Sequence, residues 1–66
     1  MQYMKHILLV KNLCELSQVQ AIEKSLADTR VIFSVDLERK CVIVEGNQDM
    51  VFIVRKALQD LGLIIL

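Results

Sequence analysis

The side chains of this chain best suited to nucleophilic or soft-metal chemistry are two cysteines and one histidine. Cys14 stands between an apolar segment that ends at Val10 and an amphipathic segment that begins at Leu16. A thiol near the N-terminus of a helix ionises more easily and can act as a soft-metal ligand or a redox group. The alternative is that Cys14 is a partly buried small hydrophobe. Cys41 lies within a predicted strand, so we expect both thiols to stay free in a reducing cytoplasm.

One thiol is too few for a metal site, but two copies of the chain could share one. If two subunits faced each other across their loops, paired Cys14 side chains would form a two-coordinate site for Cu(I) or another soft ion. Met1, Met4 and His6 could add soft ligands nearby. Alternation along the first strand places Met4 and His6 on the same face, while Met1 belongs to the chain terminus.

The other polar side chains point to neither a hard-metal site nor catalysis. Glu15 and Gln18 supply one carboxylate and one amide, too few ligands for calcium or a well-held transition metal, and we interpret them as solvated loop and cap residues. His6 is the only imidazole in the sequence, which also lacks a glycine-rich phosphate loop and a recognisable nucleophile and base pair. We therefore do not expect an enzyme.

Length, charge and hydropathy narrow the possible functions further. The chain has 66 residues, of which 55% are hydrophobic and 24% charged, with a formal net charge of zero. We expect a single domain covering residues 1–66. A chain without net charge does not attract nucleic acid, and the apolar excess favours association, so we expect a homo-oligomer or a docked protein partner. The sequence shows neither a membrane span nor a secretion signal, which predicts a cytoplasmic protein.

The spacing of apolar residues predicts the elements that position these side chains. Alternation indicates strands and steps of three and four indicate helices. Ser17 and Gln20 have the spacing of a capping box, while Asn47 and Gly62 have the residue types that begin and end a helix. The first helix is predicted to direct one apolar face inward, made of Leu16, Val19, Ile22 and Leu26. The predicted elements are a strand from Tyr3 to Val10, a helix from Leu16, a hairpin of strands from Val31 to Leu37 and from Cys41 to Glu45, a helix from about Gln48 to Leu61, and a strand from Leu63 to Leu66.

This βαββαβ order is the ferredoxin-like motif. We therefore predict an α+β sandwich with a four-stranded antiparallel sheet and two helices on one face. Alternation leaves several apolar side chains on the opposite face of the sheet, and the apolar arc of the second helix is wider than one sheet face requires. Such surplus usually marks an interface, and the last strand is a further candidate. The predicted interface residues are Ile7, Leu9, Ile32, Ile43, Phe52 and Ile53.

Three segments also resemble the heavy-metal-associated domain family, which includes small copper chaperones and the N-terminal modules of metal-pumping P-type ATPases. The segments are residues 19–26 in the first helix, residues 33–37 with 42–45 in the hairpin, and residues 54–62 at the end of the second helix. The resemblance covers nearly the whole chain and implies the ferredoxin-like fold. Members of the family grip a soft ion such as Cu(I) with two thiolates.

The metal motif of that family, Gly-Met-Thr-Cys-x-x-Cys, is missing from this chain. When the sequences are aligned through the first helix, Asn12 and Leu13 stand at the Gly and Met positions and Cys14 stands at the Thr position. Glu15 and Gln18 then stand where the two ligand cysteines belong. The apolar anchor of the loop is kept, and both metal ligands are replaced.

Two further details weaken the expectation of a metal site. Shifting the alignment by one residue would place Cys14 and Ser17 on the ligand positions, which still leaves one ligand missing and moves the first helix out of its apolar register. The aromatic residue that commonly covers the metal loop in the family is replaced by Leu63.

Three hypotheses follow from these observations. The first is a heavy-metal-associated-like domain that has lost its soft-metal site and serves as a protein-interaction or oligomerisation module. The second is a carrier of Cu(I) or a similar soft ion that uses Cys14, shared across a homodimer. The third is a small-ligand-sensing domain of the ACT type, which has the same order of elements, although no polar loop in this sequence is dedicated to a small ligand.

Overall fold

The alternating and helical segments of the chain form a sheet with two helices packed against it. The computed structural model describes residues 5–66. Within that range the chain is a small α+β domain with a three-stranded antiparallel sheet in βαββα order. Its elements are β1 (Lys5–Leu9), α1 (Leu16–Ser25), β2 (Ile32–Asp36), β3 (Cys41–Glu45) and α2 (Gln48–Asp60).

The sheet has β3 at its centre, with β1 on one side and β2 on the other. Leu8 of β1 faces Val42 of β3, which in turn faces Val35 of β2, so one apolar row crosses all three strands. A polar turn joins β2 to β3, as the sequence predicts. In this turn Lys40 has a φ of 54°, a left-handed conformation that a tight hairpin connection often requires.

The hydrophobic core lies between one face of the sheet and the two helices. Ile7 and Leu9 point away from it and are exposed, which confirms the predicted alternation along β1. The prediction for Leu16 was wrong, because it is the first residue of α1, one turn before the helix reaches the core, and its side chain is 63% exposed. The innermost side chains, each at most 2% exposed, are Val10, Leu13, Ile22, Leu26, Val42, Val44, Val54 and Leu58.

The first helix begins at Leu16, slightly before the predicted capping residue Ser17, and has a different cap. Glu15 is its N-cap residue, and the backbone N–H of Glu15 donates to the side chain of Gln18 at 2.9 Å. The capping-box spacing therefore applies to Glu15 and Gln18 and not to Ser17 and Gln20. Ser17 instead donates a hydrogen bond to the Glu15 carboxylate at 3.3 Å.

The second helix has the predicted cap at each end. The Asn47 side chain accepts a hydrogen bond from the backbone N–H of Met50 at 3.1 Å. Gly62, with a φ of +79°, follows the helix, and the Leu63 N–H donates to the Leu58 carbonyl at 2.9 Å. This is a Schellman motif, which needs a left-handed residue at the glycine position. Among residues 5–66, no helix is long and apolar enough to cross a membrane.

The C-terminal segment forms one bridge where the sequence predicts a fourth strand. Ile65 pairs antiparallel with Val10, and the Leu66 N–H donates to the Leu9 carbonyl at 2.8 Å. Just after β1, the Lys11 N–H donates to the Ile64 carbonyl at 2.8 Å, so the last three residues of the segment lie beside residues 9–11. No described residue covers the rest of the β1 edge. Tyr3 and Met4, which the predicted first strand includes, lie outside the described residues.

Candidate functional site

The loop between β1 and α1 is closed by the side-chain amide of Gln18. Its Nε2 donates to the backbone carbonyl of Asn12 at 2.9 Å. Its Oε1 accepts from the backbone N–H groups of Cys14 at 2.7 Å and Glu15 at 2.9 Å. One amide thus satisfies three backbone groups of the six-residue loop between β1 and α1.

A second amide ties the same loop to the C-terminal segment. The Asn12 side chain donates through Nδ2 to the Gly62 carbonyl at 3.1 Å and accepts through Oδ1 from the Ile64 N–H at 2.9 Å. It bonds to the main chain as a neighbouring strand would. Leu13, in the same loop, is fully buried and packs into the hydrophobic core. The loop, the C-terminal segment and the core are therefore one connected structure.

Within the described part of the chain, the two thiols do not cluster with other Cys, His, Asp or Glu side chains. Cys14 is exposed on the loop, which rules out its interpretation as a partly buried hydrophobe, and Cys41 is buried on β3. Among residues 5–66, no three His, Cys, Asp or Glu side chains lie close enough to hold a metal ion. Met1 and Met4, two of the predicted extra ligands, lie outside the described residues.

The predicted ligand positions hold no ligand pair. The Gln18 amide is turned into the loop backbone, and Glu15 caps α1 and accepts from Ser17. The side chains of both residues are thus engaged in hydrogen bonds within the loop and the first turn of α1.

The outer face of the sheet exposes the predicted apolar residues. Ile7, Leu9 and Ile32 are 65%, 50% and 53% exposed, and Ile43 on the central strand is half-buried. Leu66, 75% exposed, lies beside Leu9 and extends this surface. We call these five residues the outer sheet patch. No described helix covers this face, where Ile7 is opposite Ile43, whereas Ile32 is opposite Glu45. Exposed apolar side chains grouped on one face often mark an interface.

The other two predicted interface residues belong to a different surface. Phe52 and Ile53 lie on α2 and are 67% and 39% exposed. Since α2 covers the core-facing side of the sheet, they cannot join the outer sheet patch in a single flat contact. The sequence predicts the same division, with a sheet-side patch as the first candidate and the two α2 residues as a second.

An open groove of about 800 Å³ runs between β1 and α2. Its lining includes Lys5, His6 and Leu8 from β1 and Asp49, Phe52 and Arg55 from α2. The buried Nε2 of His6 has no hydrogen-bond partner in the described part of the chain. Sequence reasoning missed this groove, because it exists only where the C-terminal segment stops short of covering β1.

Comparison with protein-family models, with curated proteins and with solved structures found no match to this chain.

Proposed function

We propose that this chain is a non-catalytic interaction module that self-associates in the cytoplasm through the outer sheet patch, built on a ferredoxin-like, heavy-metal-associated type of fold that has lost its soft-metal site. The observation that carries the proposal is the exposure of Ile7, Leu9, Ile32 and Leu66 on a single sheet face. A neutral chain has no net repulsion to keep such faces apart.

The hydrogen bonds of the loop between β1 and α1 support the proposed loss of the metal site. A carrier needs ligands that remain free until the ion arrives, whereas here Gln18 is already bonded to three backbone groups. A loop closed by an amide keeps its shape without an ion. The family's fold can therefore persist in this chain after its chemistry has been lost, and the retained surface is what remains available for function.

The C-terminal segment supports the ferredoxin-like assignment. It lies antiparallel beside β1, on the edge opposite to β2, through the pairing of Ile65 with Val10. A fourth strand at this position would complete the βαββαβ sandwich. The resemblance to heavy-metal-associated domains in residues 19–26, 33–37, 42–45 and 54–62 is consistent with that arrangement.

The test is a comparison of two lysine variants by sedimentation equilibrium over a wide concentration range. Leu9→Lys places a charge in the outer sheet patch, and Leu16→Lys places the same charge on α1 at a side chain of similar exposure. We expect the wild-type protein and Leu16→Lys to form dimers, and Leu9→Lys to weaken the dimer by about tenfold or more. A wild-type protein that stays monomeric at several hundred micromolar would overturn the proposal.

A second candidate function is soft-metal carriage through Cys14 of two subunits. The observation that favours it is the exposure of Cys14 on the loop. Anaerobic titration of the reduced protein with Cu(I) against a competing chelator separates the two candidates. Uptake of half an ion per subunit that is lost in Cys14→Ser supports a shared carrier site. No uptake by a protein that still dimerises supports the interaction module.

A further inference from the structure

We infer that the groove between β1 and α2 binds an extended acidic peptide of a partner protein, which pairs with the open edge of β1 as an added strand. This site is separate from the outer sheet patch and goes beyond the proposed self-association. The inference depends on four features of the groove: its backbone edge, its alignment with the C-terminal segment, its charges, and an exposed aromatic side chain.

The backbone of β1 presents unused hydrogen-bonding groups to the groove. The Val10 N–H donates to the Lys40 carbonyl beside β3, and the Leu9 carbonyl accepts from Leu66 on the other side. Backbone groups alternate in direction along an antiparallel strand. The N–H and C=O of Ile7 therefore point away from β3 to the edge that no described residue covers. An uncovered edge of this kind is a template for another strand.

The C-terminal segment already demonstrates the geometry of such pairing. It adds to the β1 edge at residues 9–11 and stops where the groove begins. A peptide strand placed in line with it would run antiparallel to β1 from Leu8 toward Lys5. Because side chains alternate along a strand, its residues opposite Leu8 and His6 would enter the groove, and those between would lie on the outer face.

The charges around the groove select an acidic occupant. Lys5 and Arg55 line it against a single carboxylate, Asp49. Neither cation forms an ion pair within residues 5–66, where the salt bridge found is between Arg39 and Asp36. The buried Nε2 of His6 also lacks a partner there. A carboxylate of the peptide could pair with these cations, whereas Nε2 of His6 lies below the accessible surface and takes no part in the contact.

Phe52 provides an apolar contact for the same peptide. Its ring lines the groove and is 67% exposed. Aromatic side chains at the centre of an interface often supply much of the binding free energy. In an alternating peptide whose acidic residues enter the groove, the carboxylates would meet the cations and the methylene groups of the same side chains would contact this ring, while the β-branched residues would lie on the outer face.

The probe is a fluorescein-labelled, end-capped octapeptide that alternates valine with glutamate, titrated with the full chain and followed by fluorescence anisotropy. Two further peptides carry N-methyl groups on every valine amide or on every glutamate amide, and a fourth has lysine in place of glutamate. We expect one of the two methylated peptides to lose binding, because only one set of amides faces β1. Equal binding of both methylated peptides, or of the lysine peptide, would overturn the inference.

Matched protein variants locate the site. Arg55→Glu should weaken binding of the acidic peptide about fivefold or more, while Lys24→Glu, with the same charge change on α1, should leave it unchanged. Phe52→Ala should weaken binding, and Leu16→Ala should not. Equal effects within either pair would mean that the peptide does not occupy the groove.

Amide hydrogen exchange provides a readout that depends on strand pairing itself. On addition of the acidic peptide, the Ile7 N–H should become protected, whereas the amides of His6 and Leu8 already bond to β3. An unchanged exchange rate at Ile7 under saturating peptide would refute strand addition. Leu9→Lys separates this inference from the proposed function, because a monomeric variant that still binds the peptide shows two independent surfaces. A second copy as occupant would appear as Ile7 protection that rises with protein concentration alone.

Discussion

Replacing Gln18 by alanine should destabilise the domain by opening the loop between β1 and α1 while leaving the core unchanged. The substitution removes the bonds from Nε2 to the Asn12 carbonyl and from the Cys14 and Glu15 N–H groups to Oε1. The side chain of Gln18 is half-buried and is not part of the hydrophobic core, so the substitution truncates no core residue.

The expected loss follows from the number and exposure of these bonds. A hydrogen bond contributes a net of about 0.5 to 1.5 kcal/mol, and bonds that water can replace lie at the lower end. Two of the three are exposed and one is partly buried. Three bonds at roughly 0.5 kcal/mol each give about 1.5 kcal/mol. For a domain of this size that corresponds to a fall in Tm of roughly 6 to 12 °C.

Gln20→Ala is the matched control, because Gln20 lies on the same helix and is exposed, and no side-chain hydrogen bond of it is found within residues 5–66. Both substitutions gain the same small helix-propensity benefit of alanine. The free energy of unfolding is measured by urea denaturation for both variants and the wild-type protein. If Gln18→Ala and Gln20→Ala differ by less than about 0.3 kcal/mol, the loop does not depend on the amide and the reasoning fails.

Four further substitutions test the packing under this loop and the turns at the two ends of α2. Leu13→Ala should cost about 2 to 5 kcal/mol by urea denaturation, because its fully buried side chain leaves a cavity under the loop. Asn12→Ala should cost about 1 kcal/mol and accelerate amide exchange at Ile64, whose N–H the side chain binds; unchanged exchange there would contradict the clamp. Gly62→Ala should cost about 1 kcal/mol from its φ of +79° alone, since an added Cβ meets nothing within 4 Å. Gly46→Ala should cost more, because its φ of +136° is accompanied by a contact of 3.0 Å to Met50, and an equal loss at both glycines would show that the space around them does not matter.

Most of the fold could be predicted from local patterns. Val42 and Val44 alternate with Cys41 and Ile43, and the strand that they predict has the same bounds in the structure. Asn47 marks the start of α2 because its side chain accepts a hydrogen bond from a backbone N–H of the first turn. Gly62 marks the end because a residue without a side chain adopts the left-handed conformation there. Such features depend on a few neighbouring residues, and therefore local spacing is sufficient to find them.

The features that were missed depend on contacts between distant parts of the chain. Ser17 and Gln20 have the spacing of a capping box, and so do Glu15 and Gln18, but only the position of Asn12 after β1 decides which amide closes the loop. The extent of the last strand is also set elsewhere. The Schellman turn at Gly62 and the clamp from Asn12 fix where the segment meets β1, and alternation of apolar residues carries no information about that register.

The outer sheet patch and the groove between β1 and α2 both depend on the register of the C-terminal segment. Because Leu66 pairs with Leu9, its side chain extends the outer sheet patch, and the same pairing ends before Ile7 and leaves the β1 edge open above α2. A longer fourth strand would pair with the open edge of β1 and cover the groove. It would leave the outer sheet patch uncovered, because an added strand lies beside the sheet and not over its face. Extending pairing along β1 should therefore abolish peptide binding and preserve self-association. Under both proposals, the position of one bridge decides whether this small domain has one binding surface or two.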